Sequence, residues 1–363
     1  MRLVPIENVK PNSYLGKALY DFEGRILLNS GVLITEKLLK KIKGLNLNSL
    51  YIIDDMNNYT FESVIKDELR NKSLDLIKST FNTVNTIDEL DKKNEEDLYL
   101  KKIYFLAEEL LNEILSDDKI LCFLVDIKKL NSSVYDHTIN VTILSLIIGI
   151  SLNLPKSDLL NLSVGALLHD IGKEFIDIDI INKDGPLTYE EFEKIKDHCE
   201  KGYYYLKDKD FIHNDCKMII LQHHERVDGM GYPKGLLGNQ INKLAKIVCV
   251  ADVYDTLTSD RYYIDSMCSS DALEYIMGHS DTIFDFEIVK TFSKVVVPFP
   301  NGTIIRLSNG DLGIVKETFR NFPLRPNIKI TDSKFRDKIG TTISLIDELS
   351  LVITNVEKNM YFN

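Results

Sequence analysis

The apolar positions of this chain fall into successive regimes. Before about residue 55 they form short alternating segments, Tyr14 to Tyr20 and Arg25 to Leu28, divided by the turn signal Asp21-Phe22-Glu23-Gly24. A helical stretch from Thr35 to Lys43 follows, then Leu50 to Ile53 as a last strand. From about 60 to 130 the spacing becomes helical and rich in lysine and glutamate, as at Leu106, Leu110, Leu111 and Ile114. Within it Thr86 to Asp97 is charged and weakly apolar, which reads as a loop or a solvated helix end.

From Asp136 to about Phe292 helix follows helix. Asp136 is a candidate cap for a helix that carries His137, Val141, Leu144 and Ile148 on one face. Pro155 and Ser157 start the next, whose apolar face leads to His169-Asp170, with Gly172 as its stop. Thr188 to Glu191 has the capping-box form, and the helix it opens turns Phe192, Ile195 and His198 inward. Cys216, Ile219 and Ile220 form a stripe that His223 continues, and Leu244, Val248 and Asp252 stack at four-residue intervals.

After about 293 the pattern turns to short strands and tight turns, as in Val295 to Pro298, Thr303 to Leu307, Asn309-Gly310 and Gly313 to Val315. Ile328 to Ile330 and Leu351 to Ile353 add two more candidates. The expected fold is mainly α. An N-terminal α+β module (1–55) and a helical linker (56–119) precede a helical bundle (120–292), and a β-rich C-terminal module (293–363) follows.

Composition, 44% apolar and 27% charged over 363 residues, is that of a globular protein of two or three domains. The longest apolar stretch, Val141 to Ile150, is interrupted and shorter than the roughly 18 residues of a bilayer span, so no membrane insertion is expected. Met1 to Pro5 lacks the apolar core of a signal peptide, and a cytoplasmic protein is the plain reading. Five scattered cysteines without CxxC spacing fit reduced core thiols. The net charge of −11 argues against a polymeric nucleic-acid partner, so an anionic substrate needs local positive charge.

That charge has an obvious source. Five of the seven histidines, His137, His169, His198, His223 and His224, extend apolar helix faces, as do Asp170 and Asp252. Taken singly, His137 or His198 reads as a hydrogen-bonded core residue; together, seven inward polar groups need a shared partner. Mixed nitrogen and oxygen donors suit Fe, Mn or Zn better than Ca or Mg, and seven donors suit two ions bridged by Asp170. Such a pair would activate a bridging hydroxide for in-line attack on a phosphodiester. Lys173 would stabilise phosphoryl charge, and Glu225 would orient a ligand imidazole. His213 and His279 fall outside the pattern and read as surface or structural residues.

His169-Asp170-Ile171-Gly172-Lys173, His223-His224-Glu225, Asp228 to Pro233, Val250 to Asp255 and Ser259-Asp260-Arg261 resemble the signatures of the HD-GYP domain. This is the branch of the HD phosphohydrolases that degrades cyclic di-GMP, and the resemblance covers about residues 120 to 292. It implies an all-helical domain with a nonhaem iron or manganese centre. The seven residues above match the family's metal ligands, Lys173 the lysine at the substrate phosphate, Gly231-Tyr232-Pro233 the loop by the pocket, and Arg261 a dinucleotide contact. Members with three metals carry a glutamate where this chain has Ser133, so two divalent ions are expected and a third is not. Tyr262-Tyr263-Ile264 replaces the usual Pro-Tyr-Arg, removing one arginine contact.

The activity implied is hydrolysis of a cyclic dinucleotide, cyclic di-GMP, to pGpG, with GMP as a second product. A signalling module that binds without turnover and an HD hydrolase of another nucleotide stay open, as does assembly into a homodimer.

Overall fold

The computed structural model describes residues 2–6, 9–16, 19–20, 26–44, 49–53, 64–86, 92–116, 122–123, 134–183, 185–259, 267–319 and 321–357. Ser133, Arg261, Tyr262, Tyr263, Ile264 and the turn Asp21 to Gly24 lie outside them. The chain forms two compact units, one of residues 1–62, 123–131 and 297–363, the other of 63–122 and 132–296.

Among its described residues the first unit carries a four-stranded and a five-stranded antiparallel sheet, with a small antiparallel pair, Leu19–Tyr20 and Ile26–Leu28, beside them in the chain. In the N-terminal sheet the strands lie in the order Arg2–Pro5, Ser49–Ile53, Ser13–Leu15, Leu33–Ile34. Helix α1 (Glu36–Lys43) starts where the Thr35 hydroxyl accepts from the Leu38 amide. It buries Leu39 and Ile42 with Leu15 and Ile52. The five-stranded C-terminal sheet has the order Thr342–Ser344, Phe322–Asp332, Leu312–Phe319, Ile304–Leu307, Ile353–Val356, over a core that includes Val315, Ile328 and Leu345. Its outer strand Thr342–Ser344 was not expected: three residues are too few to show a period.

The second unit is helical. In chain order it contains α2 (Asp67–Thr86), α3 (Lys92–Leu115), α4 (Val134–Ser151) and α5 (Lys156–Leu168). A 3₁₀ turn (Ile171–Phe175) and α6 (Ile178–Ile181) lead to α7 (Tyr189–Leu206) and α8 (Asn214–Gln222). Helices α9 (Lys243–Thr258), α10 (Ser269–Gly278) and α11 (Phe286–Val295) follow. The helices expected as a linker, α2 and α3, pack on α4 and α5 inside this same unit.

Helix α4 is the axis of the bundle and touches α2, α3, α5, α9 and α11. By length and composition it could cross a bilayer, but 72% of it is buried, which is how a core helix behaves. Asp136 does not cap it. The helix is already running at Val134, and the buried Asp136 carboxylate pairs with Arg70 of α2 at 3.2 Å.

Pro155 stands at the N-cap of α5 as expected, but the helix stops at Leu168, before Gly172. Gly172 instead makes room for a neighbouring helix, since a Cβ there would lie 1.9 Å from the carbonyl oxygen of His198. Only a glycine lets the 3₁₀ turn come this close to α7, and that approach sets Asp170 beside His198. Helix α7 begins with the expected capping box, Thr188 and Glu191 exchanging side-chain and backbone hydrogen bonds.

Candidate metal centre

The bundle brings all seven expected donors together. His137 comes from the first turns of α4, His169 and Asp170 from the end of α5, His198 from α7, His223 and His224 from the end of α8, and Asp252 from α9. His169, His198 and His223 are wholly buried, and Asp170 is 1% exposed. Donor atoms of His198, His223 and His224 lie within 4.8 Å of one another, as do those of His137, His169 and Asp170.

The two groups meet at the carboxylates. Asp170 Oδ2 lies 3.4 Å from His169 Nε2, and its Oδ1 lies 3.5 Å from His198 Nε2. Asp252 Oδ1 is 3.1 Å from His137 Nε2, and its Oδ2 is 3.6 Å from His224 Nδ1. Each carboxylate therefore faces both groups, the placement a bridging ligand requires.

Backbone carbonyls set the tautomers. His169 Nδ1 donates to Ala166 O and His198 Nδ1 to Ile195 O, each at 2.7 Å, and His223 Nδ1 donates to Ile220 O at 3.0 Å. A carbonyl only accepts, so each Nδ1 carries the proton and each Nε2 presents a lone pair to the centre. His198 Nε2 and His223 Nε2 then face each other at 3.2 Å. Nitrogens about 2.0–2.1 Å from one ion stand about 3 Å apart, so this spacing is that of neighbouring ligands.

The charges agree. Burial holds His198 down to about 4 and His224 to about 3, so both imidazoles are neutral at neutral pH, as a metal ligand must be. Burial and the neighbouring His224 depress His223 as well. For Asp170 burial works upward, but the Lys173 ammonium outweighs it and keeps the carboxyl well below its usual range. For His137 burial works downward, yet its hydrogen bonds with Asp252 and Asp255 raise it to about 10. A proton on His137 and a divalent cation are alternative ways of neutralising Asp252 and Asp255.

The direct test of fit for a metal is that His169 Nε2 and Asp170 Oδ1 are buried and have no hydrogen-bond partner among the described residues. Two such atoms on adjacent residues, beside the neutral imidazoles of His198, His223 and His224, fit a cation and little else. One further donor was not foreseen. The thiol of Cys199, read from sequence as a core group, lies 3.5 Å from His198 Nε2, and burial pushes its pKa up.

Around the donors, Lys173 Nζ reaches Asp170 Oδ2 at 2.5 Å, with about 29% of the side chain open to solvent. Tyr232 lays its ring against His224, centroids 4.7 Å apart, and Lys196 stands 5.5 Å over that ring. Gly231 cannot be replaced in place, because its Cβ would fall 2.3 Å from the Arg226 nitrogen. Glu225 does not orient an imidazole: its two oxygens accept from the amides of Lys234 and Leu236, at 2.7 and 2.9 Å. It clamps the loop carrying Gly231, Tyr232 and Pro233.

Residues 112–288 match the HD domain family. Over 242 residues the chain is 34% identical to the cyclic di-GMP phosphodiesterase PA4108 of Pseudomonas aeruginosa, covering 67% of this chain and 58% of that protein. Residues 112–288 are an HD domain, and the HD-GYP signatures lie inside them. The chain spans little more than half of the Pseudomonas relative. A second relative, the cyclic di-GMP phosphodiesterase PdeB of Borreliella burgdorferi, is 26% identical over 343 residues, 92% of this chain and 88% of that one. Among solved structures, Bd1817, a HDG"Y"P protein from Bdellovibrio bacteriovorus, has 17% identity and a TM-score of 0.45 over 80% of this chain and 97% of that chain, a likeness too slight to argue from.

The groups behind the donors were not among the expected site residues. Asp255 Oδ2 accepts from His137 Nδ1 at 2.7 Å, and Asp255 Oδ1 accepts from the Asn140 amide at 3.0 Å. The available signal was spacing: Asp255 follows Asp252 by one helical turn, and Asn140 follows His137 likewise. His213 caps α8 and His279 bonds the Tyr275 carbonyl, so both are structural.

Proposed function

We propose that this chain is a metal-dependent phosphodiesterase that hydrolyses cyclic di-GMP to linear pGpG, with GMP as a further product. The observation that carries the reading is the pair of donor groups joined by Asp170 and Asp252. His137, His169, Asp170 and Asp252 would hold one divalent ion, and Asp170, His198, His223 and His224 a second. Iron or manganese suits this nitrogen-rich set.

Bound ions would supply a water acidic enough to deprotonate at neutral pH and would screen charge on the phosphate. The chain's own residues do the rest. Asp170 binds at the centre of the donor set, and Lys173, partly open to solvent beside it, supplies the positive charge that meets a phosphoryl oxygen. The Tyr232 ring forms a wall against which a base can lie, and Gly231 and Pro233 hold that ring at the site. Arg261 is assigned to the same dinucleotide by its place in the motif. Cys199, Cys216, Cys249 and Cys268 are free thiols, which fits action in the reducing cytoplasm.

The test is anaerobic purification, elemental analysis, and incubation with cyclic di-GMP beside other cyclic dinucleotides, with separation of products. Two equivalents of metal and conversion to pGpG are expected. Absence of turnover with Fe, Mn or Zn overturns the assignment, and binding by a metal-free, silent protein would make it a receptor instead.

A further inference from the structure

A buried line of hydrogen bonds runs out of the donor set into α2, a helix that precedes the HD-domain match at 112–288. Arg70, on the first turn of α2, is 4% exposed. Its Nη2 donates to Asn140 Oδ1 at 2.8 Å and to Asp136 Oδ1 at 3.2 Å. The Asn140 amide nitrogen donates to Asp255 Oδ1 at 3.0 Å, and Asp255 Oδ2 takes the proton of His137 Nδ1 at 2.7 Å. Asp136, Asn140 and Asp255 are all buried, so no step of the line passes through solvent.

The polarity of the line is fixed at both ends. A guanidinium only donates, so the carbonyl oxygen of Asn140 must face Arg70 and its NH₂ must face Asp255. Asp255 then has one oxygen committed to Asn140 and the other to His137, which turns His137 Nε2 toward Asp252. The imidazoles of His169, His198 and His223 need no such help, because carbonyls of their own helices orient them.

We propose that Arg70 is a positioning residue for the His137 half of the centre, acting through Asn140 and Asp255, so that α2 sets how tightly that half holds its ion. The proposal rests on the metal-centre reading above. It makes the two ions unequal: the half built on His137 answers to α2, and the half built on His198, His223 and His224 does not.

Cobalt(II) titration of the full chain, followed by calorimetry and visible absorption, tests this. The unmodified protein should bind two ions in separable classes, and His198→Ala should remove one of them. Arg70→Met should weaken the other class by roughly 10-fold or more, the usual effect of losing a group behind a ligand, and leave the His198 class in place. Asn140→Ala should do the same, and the double variant should lose no more than the worse single one, because both act through Asp255. Arg70→Lys keeps the charge without the fork and carries the test if Arg70→Met does not fold. Equal weakening of both classes, or additive losses, would reduce Arg70 to a structural role and overturn the relay. Two unchanged classes in Arg70→Lys and Asn140→Ala would overturn it also. No cobalt binding by the unmodified protein would sink the metal-centre reading itself, a separate result.

Discussion

His198 and His223 face each other through two unprotonated nitrogens 3.2 Å apart. Neither ring can turn away without giving up its backbone acceptor, and burial opposes relief by protonation. His198 is held near 4, so between its ordinary value of about 6.5 and about 4 the unfolded chain binds a proton that the folded chain refuses. The metal-free protein should therefore lose stability as pH falls through that window, with His198 alone contributing on the order of 2 kcal/mol. His137 has the opposite sign: its contribution is intact throughout that window and is lost as pH rises through about 10. Thermal unfolding in chelator from pH 7 to 4 checks this; a flat profile down to pH 5 contradicts it.

Asp170 faces His169, His198 and Lys173 at once. Asp170→Ala should abolish retention of both ions and all phosphodiesterase activity. Elemental analysis after desalting reads the first effect. A variant that keeps a full complement of metal would remove Asp170 from the bridging position.

Lys173→Met should separate charge on the substrate from metal binding. Metal content should stay at the unmodified level while kcat falls by roughly 100-fold, the scale of losing one placed donor. Single-turnover measurement at saturating substrate distinguishes this from a loss of affinity.

The clamp made by Glu225 gives a different signature. Glu225→Gln leaves one carbonyl for two loop amides, at a cost of about 1–3 kcal/mol for the unsatisfied group. The loop holding Tyr232 should loosen, raising KM for cyclic di-GMP with metal content unchanged. Loss of metal instead would return Glu225 to the role first expected from its place beside His224.

Gly172→Ala tests the close approach beneath the centre. No rearrangement of a flexible side chain can absorb the clash, because its partner is the His198 backbone. Stability should fall by about 3 kcal/mol, visible as a lower Tm in chelator.

The donor set was legible in sequence because each imidazole or carboxylate prolongs an apolar helix face, and helical period places such groups indoors. What lay behind the donors was not. Arg70 belongs to a stretch that looks like a charged linker, and nothing in its own surroundings tells that its guanidinium ends beside Asn140, 70 residues away. Glu225 was misjudged because neighbours on a chain do not share a direction: His224 points to the centre and Glu225 to the loop amides. The helical stop at Gly172 failed for a related reason, since the residue serves a contact with α7 that only the folded bundle contains.

Three imidazoles receive their orientation from main-chain oxygens, at Ala166, Ile195 and Ile220. Two of these oxygens lie in the last turn of a helix, where the carbonyls have no amide of their own helix to accept from. Which nitrogen faces the centre is thus written into where α5 and α8 end, and hardly at all into the side chains around them. The apolar residues lining those helices can drift as long as volume is kept, but inserting or deleting one residue near Leu168 or Gln222 would swing an imidazole off its carbonyl. Length, more than composition, is what this centre holds its helices to.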